Sequence, residues 1–218
     1  MKIAITGHTS GIGNSIDNIY TLTTDYEVQG YSKSNGWNIA VNNGDDIIQE
    51  IIDYDPDVFF NNAYYPKVQN RILRKLYEEW KDKDKVIIST GSISGYLKGI
   101  LLDDNSDYVN DKKELADFTI RNSFNYPWQS KCRLHCVSFG FVDTPLLTKT
   151  TKEVNMSNLI DSDEAAFLMT DLVKPKPYTI AEQVINCHFS SDEEMLNHFN
   201  IATRNMLKHV AKSNRNKS

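Results

Sequence analysis

The sequence predicts an α/β fold, a doubly wound parallel sheet of about seven strands between two layers of helices. Two observations predict it. Short apolar runs alternate along the chain with segments of helical periodicity, and a glycine-rich turn directly follows the first apolar run. Strands separated by helices pair in parallel, because each connection crosses over the sheet and leaves its helix on one of the two faces.

The predicted strands are short segments rich in apolar residues: Lys2–Thr6, Tyr26–Tyr31, Trp37–Val41, Asp57–Asn61, Lys85–Thr90, Arg133–Phe139 and Gln183–Phe189. The fifth of them is a continuous apolar run, which suits a strand buried at the centre of the sheet. The predicted helices have apolar residues at helical spacing or acidic residues in their first turn: Gly11–Thr23, Asp45–Ile52, Val68–Lys81, Asp107–Asn122, Asp161–Leu172 and Ser191–Ala211.

The chain of 218 residues suits one domain, predicted over residues 1–190, with a C-terminal helix and polar tail at 191–218 that belong to it. A formal net charge of −5 argues against a nucleic-acid surface. No apolar run approaches the ~20 residues of a membrane span, and the chain starts with a strand pattern, so we expect a cytoplasmic protein. Cys132, Cys136 and Cys187 form no CxxC pair, and we expect free thiols rather than a metal site.

The glycine-rich turn lies between the first strand and the first helix and reads Thr6-Gly7-His8-Thr9-Ser10-Gly11-Ile12-Gly13. Glycines there allow a tight turn and bring backbone N–H groups close to a pyrophosphate, while the positive end of the helix dipole attracts phosphate charge. The turn therefore predicts a dinucleotide site with contacts from Gly7, Thr9, Ser10, Gly11, Ile12 and Gly13. A purely structural tight connection is the alternative.

The spacing TGxxxGxG of this turn resembles that of the short-chain dehydrogenase/reductase family, and four later segments resemble the same family in the same order. They are Asn61-Asn62-Ala63, Ser89 to Gly95, Tyr108 to Lys112, and Gly140 to Pro145. The resemblance implies a Rossmann-like fold that binds NAD(P), with cofactor contacts from Asn62, Ala63, Tyr108, Lys112, Gly140, Val142 and Thr144. Two positions depart from the family pattern, since Tyr64 replaces a glycine and Phe139 replaces a proline.

Tyr108 and Lys112 are four residues apart on a predicted helix and therefore share one face. Reduction of a carbonyl needs a hydride donor at carbon and a proton donor at oxygen, and a phenol with an ordinary pKa of about 10 is a poor reversible donor at neutral pH. A nearby ammonium stabilises the phenolate and lowers that pKa. The resemblance implies that Tyr108 is the acid/base and that Lys112 tunes it and holds the nicotinamide ribose.

Ser92 is the predicted hydrogen-bond donor to the substrate oxygen, with Ser89 and Ser94 as alternatives at the same strand end. In many members of the family, an asparagine on the preceding helix uses its backbone carbonyl to hold a water that relays protons to the lysine. Asn70 is the candidate for that role, and an ordinary polar helix residue is the alternative. The spacing YxxxK also occurs at Tyr77–Lys81, but that pair precedes the serine-bearing strand, whereas the family order places the functional pair after it.

The second predicted strand ends without the carboxylate that usually binds the ribose 2′-OH of NAD. Ser32 and Lys33 follow it, and a hydroxyl and an ammonium suit a 2′-phosphate. NADP(H) is therefore the preferred cofactor, with NAD(H) possible. Asn38 and Ile39, on a very short connection, are the candidates for contacts with the adenine.

These residues predict an oxidoreductase that acts on a small-molecule carbonyl or alcohol, with neither nucleic acid nor a membrane as partner. The alternative is a catalytically silent NAD(P)-binding regulatory or scaffold protein of the same fold, and the joint presence of Ser92, Tyr108 and Lys112 argues against it. We expect the segment Leu146–Ile160 to contact the substrate. The resemblance also implies a homodimer or homotetramer through the helices that carry Asn70 and Tyr108.

Overall fold

The computed structural model describes residues 1–97, 107–145, 147, 159–175 and 180–185 of the chain. Six strands pair in parallel in one sheet, in the order β2-β1-β3-β4-β5-β6. They are β1 (Lys2–Thr6), β2 (Glu27–Tyr31), β3 (Val58–Asn61), β4 (Val86–Ser92), β5 (Arg133–Phe139) and β6 (Glu182–Ile185). The α-helices of the described residues are α1 (Gly11–Thr23), α2 (Asp45–Tyr54), α3 (Val68–Trp80), α4 (Ser94–Leu97), α5 (Asp107–Ser123) and α6 (Ser162–Asp171).

Two hydrophobic cores, one on each face of the sheet, bury the strand side chains. In β1, Ala4 packs into one core and both Ile3 and Ile5 pack into the other, and β3 and β4 alternate in the same way. The first core is covered by α2, α3 and α5, and the second by α1 and α6. Successive strand side chains point to opposite faces, so continuous apolar runs are what a sheet covered on both faces requires. The predicted doubly wound α/β fold is confirmed, with six strands among the described residues.

The predicted strand at Trp37–Val41 is wrong. The stretch is turn and coil between two short 3₁₀ turns, Lys33–Asn35 and Val41–Gly44, and the second turn contains Asn42 and Asn43 in the left-handed conformation, which β-strands do not adopt. The apolar residues that suggested a strand are anchored in a core instead, since Ile39 is buried there and the ring of Trp37 packs edge-on against Tyr31. The chain then enters α2, which leads into β3.

The last part of the chain is described only in part. The predicted strand Gln183–Phe189 corresponds to β6, and its residues after Ile185 lie outside the described residues. The predicted helix Ser191–Ala211 and most of the segment Leu146–Ile160 also lie outside them, so the boundary after residue 190 stays a prediction. Among the described residues, no helix is long and apolar enough to cross a membrane.

Candidate active site

A cleft of about 370 Å³ opens at the carboxyl ends of β1, β3, β4 and β5. The chain leaves β1 for α1 on one face and β3 for α3 on the other face, and ligands bind in the crevice at such a switch point. The predicted site residues that line this cleft are Gly7, Ser10, Gly11, Ile12, Asn62, Ala63, Ser92, Tyr108, Lys112, Gly140, Val142 and Thr144. The predicted residues that do not line it are Thr9, Gly13, Ser32, Lys33, Asn38, Ile39 and Asn70, all of them described.

The glycine turn forms one end of the cleft because two of its residues adopt conformations that other residues resist. Gly7 has φ +74° and Gly11 has φ +52°. Space is also restricted at Gly11, where an added Cβ would lie 2.9 Å from Cγ2 of Thr144. The N-cap residue of α1, Ser10, makes no side-chain capping hydrogen bond. The turn thus brings a helix N-terminus and the positive end of its dipole into the cleft, which suits a phosphate group.

Asn62 holds the ends of β1, β3 and β4 together. Its Nδ2 donates to the carbonyl of Thr6 at 3.2 Å, and its Oδ1 accepts from the hydroxyl of Thr90 at 3.0 Å. The Thr6 hydroxyl accepts from the backbone N–H groups of Asn62 and Ala63. These bonds place Ala63 in the cleft wall. The next residue, Tyr64, fits without a positive φ, and the left-handed residue of this loop is Lys67 with φ 63°.

Tyr108 and Ser92 meet in the cleft. Tyr108 lies in the first turn of α5, is half-buried, and its hydroxyl is hydrogen-bonded to the Ser92 side chain at the end of β4. Ser92 Oγ and Ser94 Oγ lie 2.9 Å apart. Ser89, the third candidate, is fully buried and accepts from Asn61 Nδ2 at 3.4 Å. The geometry therefore favours Ser92 over Ser89, with Ser94 as its immediate neighbour.

Lys112 is buried one helical turn after Tyr108. Its Nζ donates to Oε1 of Gln69 at 2.8 Å and to the carbonyl of Thr90 at 2.7 Å, and it lies 5.6 Å from the centroid of the Tyr108 ring. Burial lowers the pKa of Lys112 to about 8, because desolvation penalises the ammonium more than the neighbouring Cys136 and Asp111 favour it. This amine therefore changes its charge close to neutral pH.

The phenol of Tyr108 differs from the expectation drawn from the sequence, in which the neighbouring ammonium lowers its pKa. Burial raises the pKa of Tyr108 above its ordinary value, and the hydrogen bond with Ser92 opposes that rise. Desolvation dominates because the phenolate loses more hydration than the neutral phenol. Tyr108 is consequently protonated at neutral pH, which is the form that donates a proton.

Sequence reasoning missed three residues around this pair, namely Tyr64, Gln69 and Asp111. Tyr64 packs its ring against Tyr108 and donates its hydroxyl to Asp111 Oδ2 at 3.2 Å. The centroid of the Tyr64 ring lies 5.3 Å from Lys112 Nζ. The sequence did contain a signal for Tyr64, because this tyrosine replaces a glycine of the family pattern. Gln69 and Asp111 gave none, since they resemble ordinary polar helix residues until their burial is known.

Asn70 lies behind the cleft, between α3 and α5. Its Nδ2 donates to the carbonyl of Asp111 at 2.8 Å, one residue before Lys112. The Asn70 Oδ1 is buried and has no hydrogen-bond partner among the described residues. Direct contact with the lysine comes from the neighbouring Gln69, so the relay through the Asn70 carbonyl stays a prediction.

The second YxxxK pair lies far from this arrangement. Tyr77 is buried in the core against Phe118, and its hydroxyl accepts from Asn125 Nδ2 at 3.2 Å. Lys81 pairs with Glu78 at 3.1 Å on the protein surface. The structure therefore gives Tyr77 a packing role, whereas Tyr108 lines the cleft.

The residues after β2 form a compact turn without a carboxylate. The backbone N–H of Ser32 donates to Oδ1 of Asn35 at 2.9 Å, and Ser32 Oγ lies 2.7 Å from Ser34 Oγ. Lys33 is exposed. The imidazole of His8, from the glycine turn, fills the space next to Gly30 that a larger residue would need. A hydroxyl cluster and a lysine thus lie at the end of β2, on the side of the cleft where the glycine turn begins.

The two candidates for adenine contacts differ in their placement. Ile39 has its side chain buried in the core that α2 and α3 cover, so it is not available to a ligand in the cleft. Asn38 accepts a hydrogen bond from the backbone N–H of Ala40 at 3.1 Å. The predicted contact of Ile39 with the adenine is therefore not supported by its position.

Comparison with solved structures identifies the fold of this chain. No protein-family model and no curated protein matches the sequence. Solved structures do match: a 3-alpha-hydroxysteroid dehydrogenase from Pseudomonas sp. B-0831 complexed with NADH is 17% identical, with 85% of this chain and 94% of that chain covered and a TM-score of 0.70. A glucose/ribitol-type short-chain dehydrogenase/reductase from Brucella melitensis is 16% identical over 85% and 94%, with a TM-score of 0.65. A short-chain dehydrogenase from Burkholderia cenocepacia in complex with NADP is 14% identical over 84% and 94%, with a TM-score of 0.62. The chain therefore has the Rossmann-like fold of these proteins.

Proposed function

We propose that this protein is an NADP(H)-dependent oxidoreductase of the short-chain dehydrogenase/reductase type, which reduces a carbonyl or oxidises the matching alcohol. One observation carries the proposal. Ser92 at the end of β4 meets Tyr108 and Lys112 of α5 in one cleft, and that cleft also contains the glycine turn and the N-terminus of α1. A protein that only binds a dinucleotide needs the turn and has no need of the three side chains.

Several features of the cleft support a nicotinamide dinucleotide as its ligand. Gly11 lines the cleft without a side chain, so its backbone can approach a pyrophosphate closely. Gly7, Ser10, Gly11 and Ile12 would hold the phosphates, and Val142 and Thr144 would face the nicotinamide, as the family resemblance implies. When bound, the nicotinamide supplies the hydride that this chain's own side chains cannot provide.

The side chains supply the proton and the orientation. Tyr108 is a neutral phenol, so it is prepared to protonate a carbonyl oxygen in the direction of reduction. Ser92, which is hydrogen-bonded to that phenol, would hold the same oxygen as negative charge develops on it. Lys112 lies on the same helix face, where its charge favours the phenolate that remains after proton transfer.

The preference for NADP(H) over NAD(H) is part of the proposal. Like charges repel, so a carboxylate at the end of β2 would disfavour a 2′-phosphate, and this turn contains Ser32, Lys33 and Ser34 instead. We expect Lys33→Met to weaken the binding of NADPH about three- to tenfold and to leave NADH binding unchanged, because only the phosphate uses that charge. Lys75→Met, on the exposed side of α3, is the matched control. Equal losses for both cofactors would contradict the preference.

The redox assignment is tested by turnover. NADPH consumption is measured against a panel of aldehydes and ketones for the wild type, for Tyr108→Phe and for the matched control Tyr77→Phe. We expect the control to keep its activity and Tyr108→Phe to lose about 100-fold or more, because the proton donor is gone. If the wild type and Tyr108→Phe bind NADPH equally well and neither consumes it with any substrate, the protein is a silent dinucleotide-binding protein.

The proposal also includes the oligomeric state and the cellular location. We expect a homodimer or homotetramer, with α3 and α5 at the contact between subunits. We expect the protein in the cytoplasm. The outer surfaces of these helices are already joined within one chain by the ion pair of Arg74 and Glu114 at 2.7 Å. Light scattering on the purified protein measures the mass in solution, and a monomer at micromolar concentration would contradict the assembly.

A further inference from the structure

Gln69 contacts the ammonium of Lys112 directly. Two of the three N–H donors of Lys112 have partners among the described residues, Gln69 Oε1 at 2.8 Å and the Thr90 carbonyl at 2.7 Å. The Gln69 side chain is buried, with 2% of its surface exposed, and Lys112 is 3% exposed. The contact is therefore made away from bulk water, where a hydrogen bond to a charged group is strong.

The orientation of the Gln69 amide is determined by its other bonds. Its Nε2 donates to the carbonyl of Asn61 at 2.8 Å and to the carbonyl of Thr90 at 3.2 Å. Both partners are acceptors, so the amide nitrogen must face them and the amide oxygen must face Lys112. The amide thus connects the ends of β3 and β4 to the ammonium, with all of its polar groups satisfied.

The backbone next to both residues is fixed as well. The N–H of Lys67, just before α3, donates to Asp111 Oδ2 at 2.7 Å, and Asn70 donates to the carbonyl of Asp111 at 2.8 Å. Asp111 directly precedes Lys112 and Gln69 lies between the two donors in sequence. The start of α3 and the second turn of α5 are therefore held at one separation, which sets the distance between the amide and the ammonium.

The other ionisable groups near the ammonium do not replace this contact. The carboxylate of Asp111 accepts from Tyr64 and Lys67, and the thiol of Cys136 on β5 is neutral because burial raises its pKa to about 12. The phenols of Tyr64 and Tyr108 offer ring faces more than 5 Å away, at 5.3 and 5.6 Å. Of the side chains described in the structure, the neutral amide of Gln69 makes the hydrogen bond to Lys112 Nζ.

We propose that Gln69 is the positioning residue of Lys112, whose neutral amide holds the ammonium at the end of β4 and leaves one N–H for a hydroxyl group of a ligand in the cleft. For its effect on turnover this inference rests on the proposed function. Its effect on the lysine itself does not depend on any substrate. An uncharged acceptor orients the ammonium without the strong attraction that a carboxylate would add. The pKa of Lys112 is therefore lower than it would be beside a carboxylate.

The test measures Lys112 directly. The full chain is labelled with ¹⁵N-lysine, the Lys112 side-chain signal is assigned by its absence in Lys112→Arg, and its titration is followed by NMR with rising pH. We expect Gln69→Glu, which has the same shape, to raise the titration midpoint of Lys112 by about one to two pH units, since an opposite charge in contact stabilises the ammonium. We expect Gln69→Met, which has no acceptor, to lower it.

Gln49→Glu is the matched control, since Gln49 is exposed on α2 and donates to Asp53 at 2.8 Å. It adds the same charge far from the cleft and should leave the Lys112 midpoint in place. Midpoints in Gln69→Glu and Gln69→Met that equal that of the control would overturn the inference. Thermal unfolding identifies a variant that does not fold, and the titration of the other isosteric variant then decides.

Turnover separates this inference from the proposed function. If NADPH is consumed, Gln69→Met should raise the KM for NADPH about tenfold with a smaller effect on kcat, because the remaining N–H of Lys112 loses its direction. If the Lys112 midpoint moves as expected and no carbonyl is reduced by the wild type, the positioning role stands and the redox function fails. If carbonyls are reduced and the midpoint does not move, the redox function stands and the positioning role fails.

Discussion

The ring of Tyr64 stands edge-on against the ring of Tyr108, with the centroids 4.9 Å apart and the planes at 86°. In such a pair the positive edge of one ring meets the negative face of the other, which contributes about 0.5–1.5 kcal/mol beyond the buried area. Tyr64 also donates to Asp111 and lies against Lys112. It therefore joins the loop after β3 to the helix that carries the functional pair, at a position where the resembled family has glycine.

Removal of the Tyr64 ring should impair the site more than removal of its hydroxyl. We expect Tyr64→Ala to reduce NADPH-dependent turnover about tenfold, because the Tyr108 ring loses the neighbour that fixes its orientation. Tyr64→Phe keeps the ring and loses one hydrogen bond, so it should keep most of the activity and lose about 1 kcal/mol of unfolding free energy. Steady-state kinetics and urea unfolding on both variants measure these effects, and wild-type turnover in Tyr64→Ala would contradict them.

Asp111 should stabilise the fold through the two donors that bind its buried carboxylate. We expect Asp111→Ala to lower the unfolding free energy by about 2–3 kcal/mol, because the N–H of Lys67 and the hydroxyl of Tyr64 both lose their acceptor. The control is Asp117→Ala on the same helix, which removes an exposed ion pair with Lys113 and should cost at most about 0.5 kcal/mol. Urea unfolding compares the two. Equal losses would show that the acceptor role of Asp111 is not what stabilises the contact.

The fold could be predicted from the sequence because its signals are local. The alternation of apolar runs and helical periods follows from a sheet covered on both faces, and the parallel pairing of the strands follows from the crossovers. The prediction failed at Trp37–Val41 because the apolar pattern is only five residues long and its apolar side chains serve the core from a turn, which Asn42, Asn43 and Gly44 in left-handed conformations follow directly. Short apolar runs do not distinguish a strand from a turn that is anchored in the core.

The site could be predicted only where chemistry requires a fixed residue type at a fixed position. Ser92, Tyr108 and Lys112 are such residues, and the structure brings them together in the cleft. Gln69 acts through a tertiary contact across 43 positions of sequence, so nothing near it in the chain marks it. The pKa of Tyr108 was expected to fall, whereas burial, which a sequence does not show, raises it and the hydrogen bond with Ser92 opposes that rise.

The stability of the protein should depend on pH through Lys112. Its pKa is about 8 in the folded protein against 10.5 for the ordinary side chain, so between these values the unfolded chain binds a proton that the folded chain does not. Unfolding free energy should therefore rise with pH across this window, by about 3 kcal/mol in total for this group. Lysines and tyrosines elsewhere titrate too, so the measured quantity is the difference between the wild type and Lys112→Met in urea unfolding at each pH. A difference that stays constant from neutral pH to pH 10.5 would contradict the buried amine.

Gly11→Ala should damage the cleft through a steric overlap as well as through backbone strain. Gly11 has φ +52°, and its added Cβ would lie 2.9 Å from Cγ2 of Thr144, whereas Gly36 has φ +92° with nothing within 4 Å of an added Cβ. We expect Gly36→Ala to cost only the backbone term, about 1–2 kcal/mol, with NADPH binding intact. Gly11→Ala should cost more and weaken NADPH binding about tenfold or more, since the methyl group enters the predicted phosphate site. Thr144→Ser removes Cγ2, so the double variant should recover part of the stability lost in Gly11→Ala. Calorimetric binding and urea unfolding on the single and double variants measure both effects, and a double variant no more stable than Gly11→Ala would show that the overlap with Thr144 is not the cause.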